Sequence, residues 1–171
     1  MQNKGVSMGN TRSSLMISKW TLDNERSPLY HQADRLKLVT FCFGANDAAV
    51  NRRNTTWRMV PPAEYKQNLL TSVDIFLAHG VHQILLLTPP PAAAPPRIDR
   101  RLDATAEYAE LVKQVGRERG LPVVDIFSAI QDVPEWKTTA MVKDGLHLSS
   151  VGQMVVFERV HAAIASAQYK L

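Results

Sequence analysis

Lys37-Leu38-Val39-Thr40-Phe41-Cys42-Phe43-Gly44-Ala45-Asn46-Asp47 is the stretch on which the reading of this chain turns. Its first seven residues form a β-branched and aromatic run, which predicts a strand buried on both faces. Gly44 ends the run, and a short polar segment follows. Downstream, Pro61-Pro62 opens a segment with Tyr65, Leu69, Val73, Phe76 and Leu77 on one helical face, closed by His79-Gly80. Gln83 to Thr88 predicts a second strand, stopped by Pro89-Pro90-Pro91, and the stretch from Pro89 to Pro96 reads as a surface loop. From Arg101, the spacing of Leu102, Ala106, Ala109, Val112 and Val115 predicts another amphipathic helix ending near Gly120. Leu121 to Ile126 gives a third strand. Ser149 is placed as the N-cap of a last helix carrying Val151, Val155, Val160 and Ile164. Strands and helices therefore alternate, and the apolar strands are continuous, which argues an α/β fold with a parallel sheet flanked by helices. Upstream of Leu36 the periodicity is weaker; Ser13 to Trp20 has helical character and Asp23 to Pro28 turn character.

With 171 residues and 45% hydrophobic content, the chain suffices for one domain with its own core. No apolar run approaches the ~20 residues of a membrane span, and Met1 to Lys19 contains no signal-like segment, so a cytoplasmic protein is the expectation. Cys42 is the single cysteine; an internal disulfide or a thiolate metal cluster is excluded, and an inert buried thiol is expected. The net charge is +4 and the pI 9.4. The positive residues are scattered as Arg52/Arg53, Arg97/Arg100/Arg101 and Arg117/Arg119, with no interleaved aromatics, so they read as solvated surface and no nucleic-acid partner is expected.

In an open parallel sheet, ligand chemistry gathers at the carboxyl ends of the strands. Two polar runs fall there: Gly44-Ala45-Asn46-Asp47, and Asp144-Gly145-Leu146-His147 just ahead of the last helix. A turn at the Asp-x-x-His spacing can set a carboxylate against one imidazole nitrogen, leaving the other to accept a proton. A capping aspartate beside a surface histidine has the same spacing. The Asn46 amide can donate to a developing oxyanion, and it is also the residue type that ends strands in Asx-turns. Asp47 either hydrogen-bonds within the loop that holds Asn46 or is solvated. Trp57 and Met59 either wall a pocket or pack on their own loop. His31, His79, His82 and His161 have no partner at a useful spacing.

Gly44-Ala45-Asn46-Asp47 resembles the third conserved block of the SGNH (GDSL-type) hydrolases, and Asp144-Gly145-Leu146-His147-Leu148-Ser149 resembles the fifth. Asn3-Lys4-Gly5-Val6-Ser7-Met8-Gly9-Asn10-Thr11 is similar to the second block, with Met8 where the family has the glycine and Gly9 one place later. The flavour is nearest to the isoamyl acetate-hydrolysing esterase-like branch. The resemblance implies a flavodoxin-like three-layer α/β/α fold and hydrolysis of small carboxylic or acetyl esters without metal or organic cofactor. It implies His147 as general base, Asp144 as its orienting partner, and Asn46 with the Gly9 N–H as the oxyanion hole.

The family's first block, the Gly-Asp-Ser that supplies the nucleophile, has no counterpart, since only two residues precede Asn3. Gly5-Val6-Ser7-Met8-Gly9 matches the nucleophile elbow of the α/β-hydrolases, but that elbow needs a strand leading into it, and four residues cannot form one. The resemblance thus implies a sheet without its first two strands, leaving Lys37 to Phe43 as an exposed edge. Three consequences stay open: a domain marginal by itself, a dimer paired through that edge, or a misassigned start. Beside the hydrolase stand two other readings, a non-catalytic remnant or binding module, and a flavodoxin-like nucleotide binder, which lacks its glycine-rich phosphate loop here.

Overall fold

The computed structural model describes residues 9–27, 36–50, 59–93 and 99–166. The elements run α1 (Thr11–Asp23), β1 (Val39–Cys42), α2 (Pro62–Ala78), β2 (Ile84–Leu87), α3 (Leu102–Arg119), β3 (Val123–Val124), α4 (Ile126–Gln131), α5 (Trp136–Thr139) and α6 (Ser150–Ala165). The three strands form one parallel sheet in the order β1-β2-β3. Val39 pairs with Ile84 and Cys42 with Leu87, and Leu86 pairs with Val123. The chain thus forms the parallel sheet flanked by helices that its alternating pattern argued, in the three-layer α/β/α arrangement that the resemblance implied.

Each face of the sheet has its own apolar cluster. On one side Phe41, Ile84 and Leu86 meet Leu69, Val73 and Phe76 of α2 and Val112 and Val115 of α3, with Leu22 of α1 joining them. Phe41 and Phe76 meet edge to face at 5.5 Å. On the other, Leu85, Leu87 and Val124 meet Ile126 and Ile130 of α4, with Val155, Val156 and Val160 of α6 packed against them. Only β2 is buried at all four positions. Fully burying such a Leu or Ile contributes about 1.5–3 kcal/mol, so the central strand anchors both layers.

Several expectations are corrected. β1 is buried on one face only: Thr40 and Cys42 are exposed, because nothing among the described residues covers that side. Cys42 is therefore not a core residue, although the protein behind it still pushes its thiol up to about 11 by desolvation. The third strand stops at Val124, since Asp125 accepts hydrogen bonds from the Ser128 N–H (3.1 Å) and hydroxyl (2.8 Å) and starts α4. In the loop after β2, Ala92 is buried rather than on the surface. Leu102 and Val151, assigned to core faces, are exposed, and Met154 and Phe157 of α6 are exposed beside Val151. His79 does have a partner: it faces Asp23 at 3.3 Å and so links α2 to α1. Among the described residues no helix is long and apolar enough to cross a membrane.

Two close approaches fix the carboxyl edge of the sheet. Gly44 has φ +123°, and a Cβ there would also lie 2.8 Å from the Pro89 ring; only glycine satisfies both constraints. Gly152, in the first turn of α6, sits against the Ala140 carbonyl, which a Cβ would approach to 2.2 Å. Gly152→Ala is expected to destabilise the fold by about 1–3 kcal/mol through this overpacking, read as a lower urea midpoint at unchanged slope.

Candidate active site

The Asp144–His147 pair is built by a local turn. Met141 and Leu148 form an antiparallel bridge, the Val142 N–H donates to the His147 carbonyl (2.9 Å), and the Gly145 N–H returns to the Val142 carbonyl (2.9 Å). Inside this loop Asp144 Oδ1 accepts the N–H groups of Leu146 (2.9 Å) and His147 (3.0 Å), while Oδ2 contacts His147 Nδ1 at 2.5 Å. The imidazole hydrogen bond, then the two backbone N–H groups, hold the Asp144 carboxyl down to about 2. Ser149 closes the turn: its hydroxyl donates to the Thr139 carbonyl (2.6 Å) and accepts the Gly152 N–H (3.3 Å), so it caps α6 as its position suggested. With Nδ1 engaged, the His147 Nε2 is left facing outward on a side chain 75% exposed.

Asn46 lies in the loop that follows β1, four residues after Cys42. Its Nδ2 donates to the Gly9 carbonyl at 2.9 Å, which brings the second- and third-block residues into direct contact. Asp47 is fully buried. Its Oδ1 accepts both the N–H (2.8 Å) and the hydroxyl (2.6 Å) of Thr11, so it holds α1 and does not lie in solvent. Burial raises its carboxyl above the usual aspartate value despite the Thr11 bonds that favour the charge.

The two pairs are connected through the stretch after β2. Pro89 packs on Gly44, and the Ala93 N–H donates to the Gly145 carbonyl at 2.7 Å. The structure thus joins Asn46 to Gly9 and Asp144 to His147, and sets both pairs along one edge. Among the described residues the His147 ring bonds only to Asp144. Ser7 and Trp57 lie outside the described residues; Met59 offers its carbonyl to Arg12 at 3.5 Å.

One residue of this edge was misread from the sequence. Arg100, grouped with the solvated positives, is 3% exposed. Its Nε donates to the Ala45 carbonyl (2.6 Å), one terminal nitrogen to Asn46 Oδ1 (2.9 Å), and the other to the Asp99 carbonyl (2.9 Å) and carboxylate (2.7 Å). The only sequence signal was its place ahead of α3, a position shared by Arg101, which is exposed.

Residues 2–155 match the GDSL-like lipase/acylhydrolase family, and the chain belongs to that family. It is 39% identical over 136 residues to a GDSL esterase/lipase of Arabidopsis thaliana, covering 71% of this chain and 56% of that protein. It is 28% identical over 170 residues to the human isoamyl acetate-hydrolyzing esterase 1 homolog, covering 92% of this chain and 65% of that one. The chain therefore spans less than two thirds of these relatives. A lipase/acylhydrolase from Enterococcus faecalis superposes with a TM-score of 0.73 at 25% identity, covering 92% of this chain and 71% of that chain. An acetylxylan esterase from Geobacillus stearothermophilus shares the fold, with a TM-score of 0.74 at 24% identity, covering 98% of this chain and 73% of that one.

The Asp144 carboxyl, held at about 2, lies below the ~3.9 of an unfolded aspartate. Its contribution to stability is complete above about pH 4 and is lost as the pH falls toward 2. The side chain is 39% exposed, so screening keeps that contribution below about 1 kcal/mol. Carbon-detected NMR titration should show a midpoint near 2. In His147→Ala the midpoint should rise yet stay below ~3.9, because the two backbone donors remain.

Proposed function

We propose that this chain carries the acid–base and oxyanion-binding half of a serine ester hydrolase acting on small acyl or acetyl esters. The observation that carries the reading is the 2.5 Å contact between Asp144 Oδ2 and His147 Nδ1, which leaves Nε2 as the proton acceptor. In this reading a serine hydroxyl attacks the ester carbonyl carbon and passes its proton to His147 Nε2. The Asn46 amide and the Gly9 N–H donate to the oxygen that becomes negative. Collapse expels the alcohol, which takes the proton from His147, and water repeats the sequence on the acyl-serine to release the acid. The substrate class is supported by relatives named as an isoamyl acetate-hydrolyzing esterase homolog and as an acetylxylan esterase.

A second reading, a non-catalytic binding module, is favoured by the lack of any hydroxyl partner for His147 among the described residues. The two separate in one assay series with p-nitrophenyl acetate. A form extended upstream by an in-frame Gly-Asp-Ser segment is expected to hydrolyse it. His147→Ala should then lower kcat by about 10⁴-fold or more and Asn46→Ala by about 10²–10³-fold. Undiminished rates in His147→Ala would overturn the mechanism. Turnover by the 171-residue chain that disappears in Ser7→Ala would move the nucleophile to Ser7. No turnover in either form leaves the binding module.

Two exposed features support assembly as a dimer. β1 has a partner strand on one side only among the described residues, and Val151, Met154 and Phe157 stand exposed on α6. Sedimentation is expected to give a dimer that Phe157→Glu converts to monomer; a monomeric wild type at high micromolar concentration rejects the pairing.

A further inference from the structure

We propose that Arg100 is a positioning residue for the oxyanion site: it fixes and polarises the Asn46 amide. The inference rests on the reading of Asn46 as an oxyanion donor, and its geometry comes from residues that reading does not use. Arg100 only donates hydrogen bonds and the Gly9 carbonyl only accepts them. One takes Asn46 Oδ1 at 2.9 Å and the other takes Nδ2 at 2.9 Å. Both partners therefore dictate the same orientation of the amide, and a 180° flip would break both bonds at once. Of the two hydrogens on Nδ2, one is spent on Gly9 and the second remains for a ligand.

The arrangement also carries charge. The Arg100 side chain is 2% exposed and its charge is offset by Asp99 at 2.7 Å. A buried guanidinium bonded to an amide oxygen draws electron density from the amide nitrogen, which makes the remaining N–H a stronger donor. Because Nε also holds the Ala45 carbonyl at 2.6 Å, the backbone that carries Asn46 is gripped at the same time as its side chain. A lysine at this place would keep the charge but lose the fork that reaches both Ala45 and Asn46.

The test is NMR of side-chain amides in the 171-residue chain, with no need for turnover, so a failed esterase assay does not decide it. In the wild type, the Asn46 NH₂ protons should exchange with water at least ten times more slowly than those of exposed asparagines, and an Arg100 Nη–H should show a cross-peak to them. Arg100→Lys should raise the Asn46 exchange rate at least tenfold and shift its nitrogen resonance toward that of a free amide, at a melting temperature still showing a folded domain. Free-amide exchange in the wild type, or an unchanged Asn46 signal in folded Arg100→Lys, would overturn the proposal. If Arg100→Lys does not fold, the wild-type exchange rate and cross-peak decide alone.

Discussion

Thr11 and Asp47 meet at two fully buried positions, and the arrangement of the site follows from how that contact is satisfied. The first turn of α1 begins with N–H groups that its own helix cannot pair. Asn10 takes the Ser13 N–H at 3.2 Å through its side chain and the Ser14 N–H at 3.0 Å through its carbonyl. Asp47, 36 residues away in sequence, takes the Thr11 N–H and hydroxyl on one oxygen. A carboxylate at a helix N-terminus is favoured by the dipole, while burial works against its charge and lifts its affinity for a proton. The contact thus works as a positional lock more than as a source of stability. It brings Gly9, two residues before Thr11, against Asn46, one residue before Asp47.

The other half of the site is registered by crowding. Gly44 admits Pro89, and the chain that leaves Pro89 reaches the Asp144 turn through the bond from Ala93 to Gly145. Behind that turn, Gly152 lets α6 press on Ala140, whose carbonyl also accepts the Ser149 N–H at 2.9 Å. The Asp144 and His147 side chains shape only their own turn. The glycines, a proline and backbone carbonyls behind them set the spacing, so a methyl group at residue 152 is felt at the base of the Asp144–His147 loop.

The elements that the sequence made legible are those whose buried face is apolar. Tyr65, Leu69, Val73 and Phe76 marked α2, and Ile84 to Leu87 marked β2, because burial and hydropathy coincide there. α1 was faint for the opposite reason: its buried stripe is Thr11, Ser14, Ser18 and Thr21, with Leu22 its one apolar member, and Ser14 is bonded to Ser72 of α2 at 3.3 Å. Small polar residues that let two helices approach closely leave no hydrophobic period to read. The Asp144–His147 pair was legible because its geometry is local, closed within four residues. Arg100 was not, since its partners Ala45 and Asn46 are 55 and 54 residues away. Thr40 and Cys42 were assigned to a core because a strand's composition does not reveal whether its second face has a neighbour.

The two halves of the site stand in different dielectric surroundings, and this bears on what the chain can do. Asn46 is half-buried, held on its oxygen by a buried guanidinium and set beside a fully buried carboxyl, so the orientation of its amide is fixed in advance. Asp144 is held down by hydrogen bonds while remaining partly in water, and His147 is more exposed still. The pair therefore has its geometry without the water exclusion that strengthens charge–charge contacts. Val151, in the first turn of α6 four residues beyond His147, begins the exposed apolar row that Met154 and Phe157 continue. Covering that row would remove apolar surface from water at about 25 cal/mol per Å² and would desolvate the side of α6 that begins beside His147. A cover over that row would thus act on stability and on the surroundings of the Asp144–His147 turn together, while the bonds of Asn46 to Gly9 and Arg100 do not involve it.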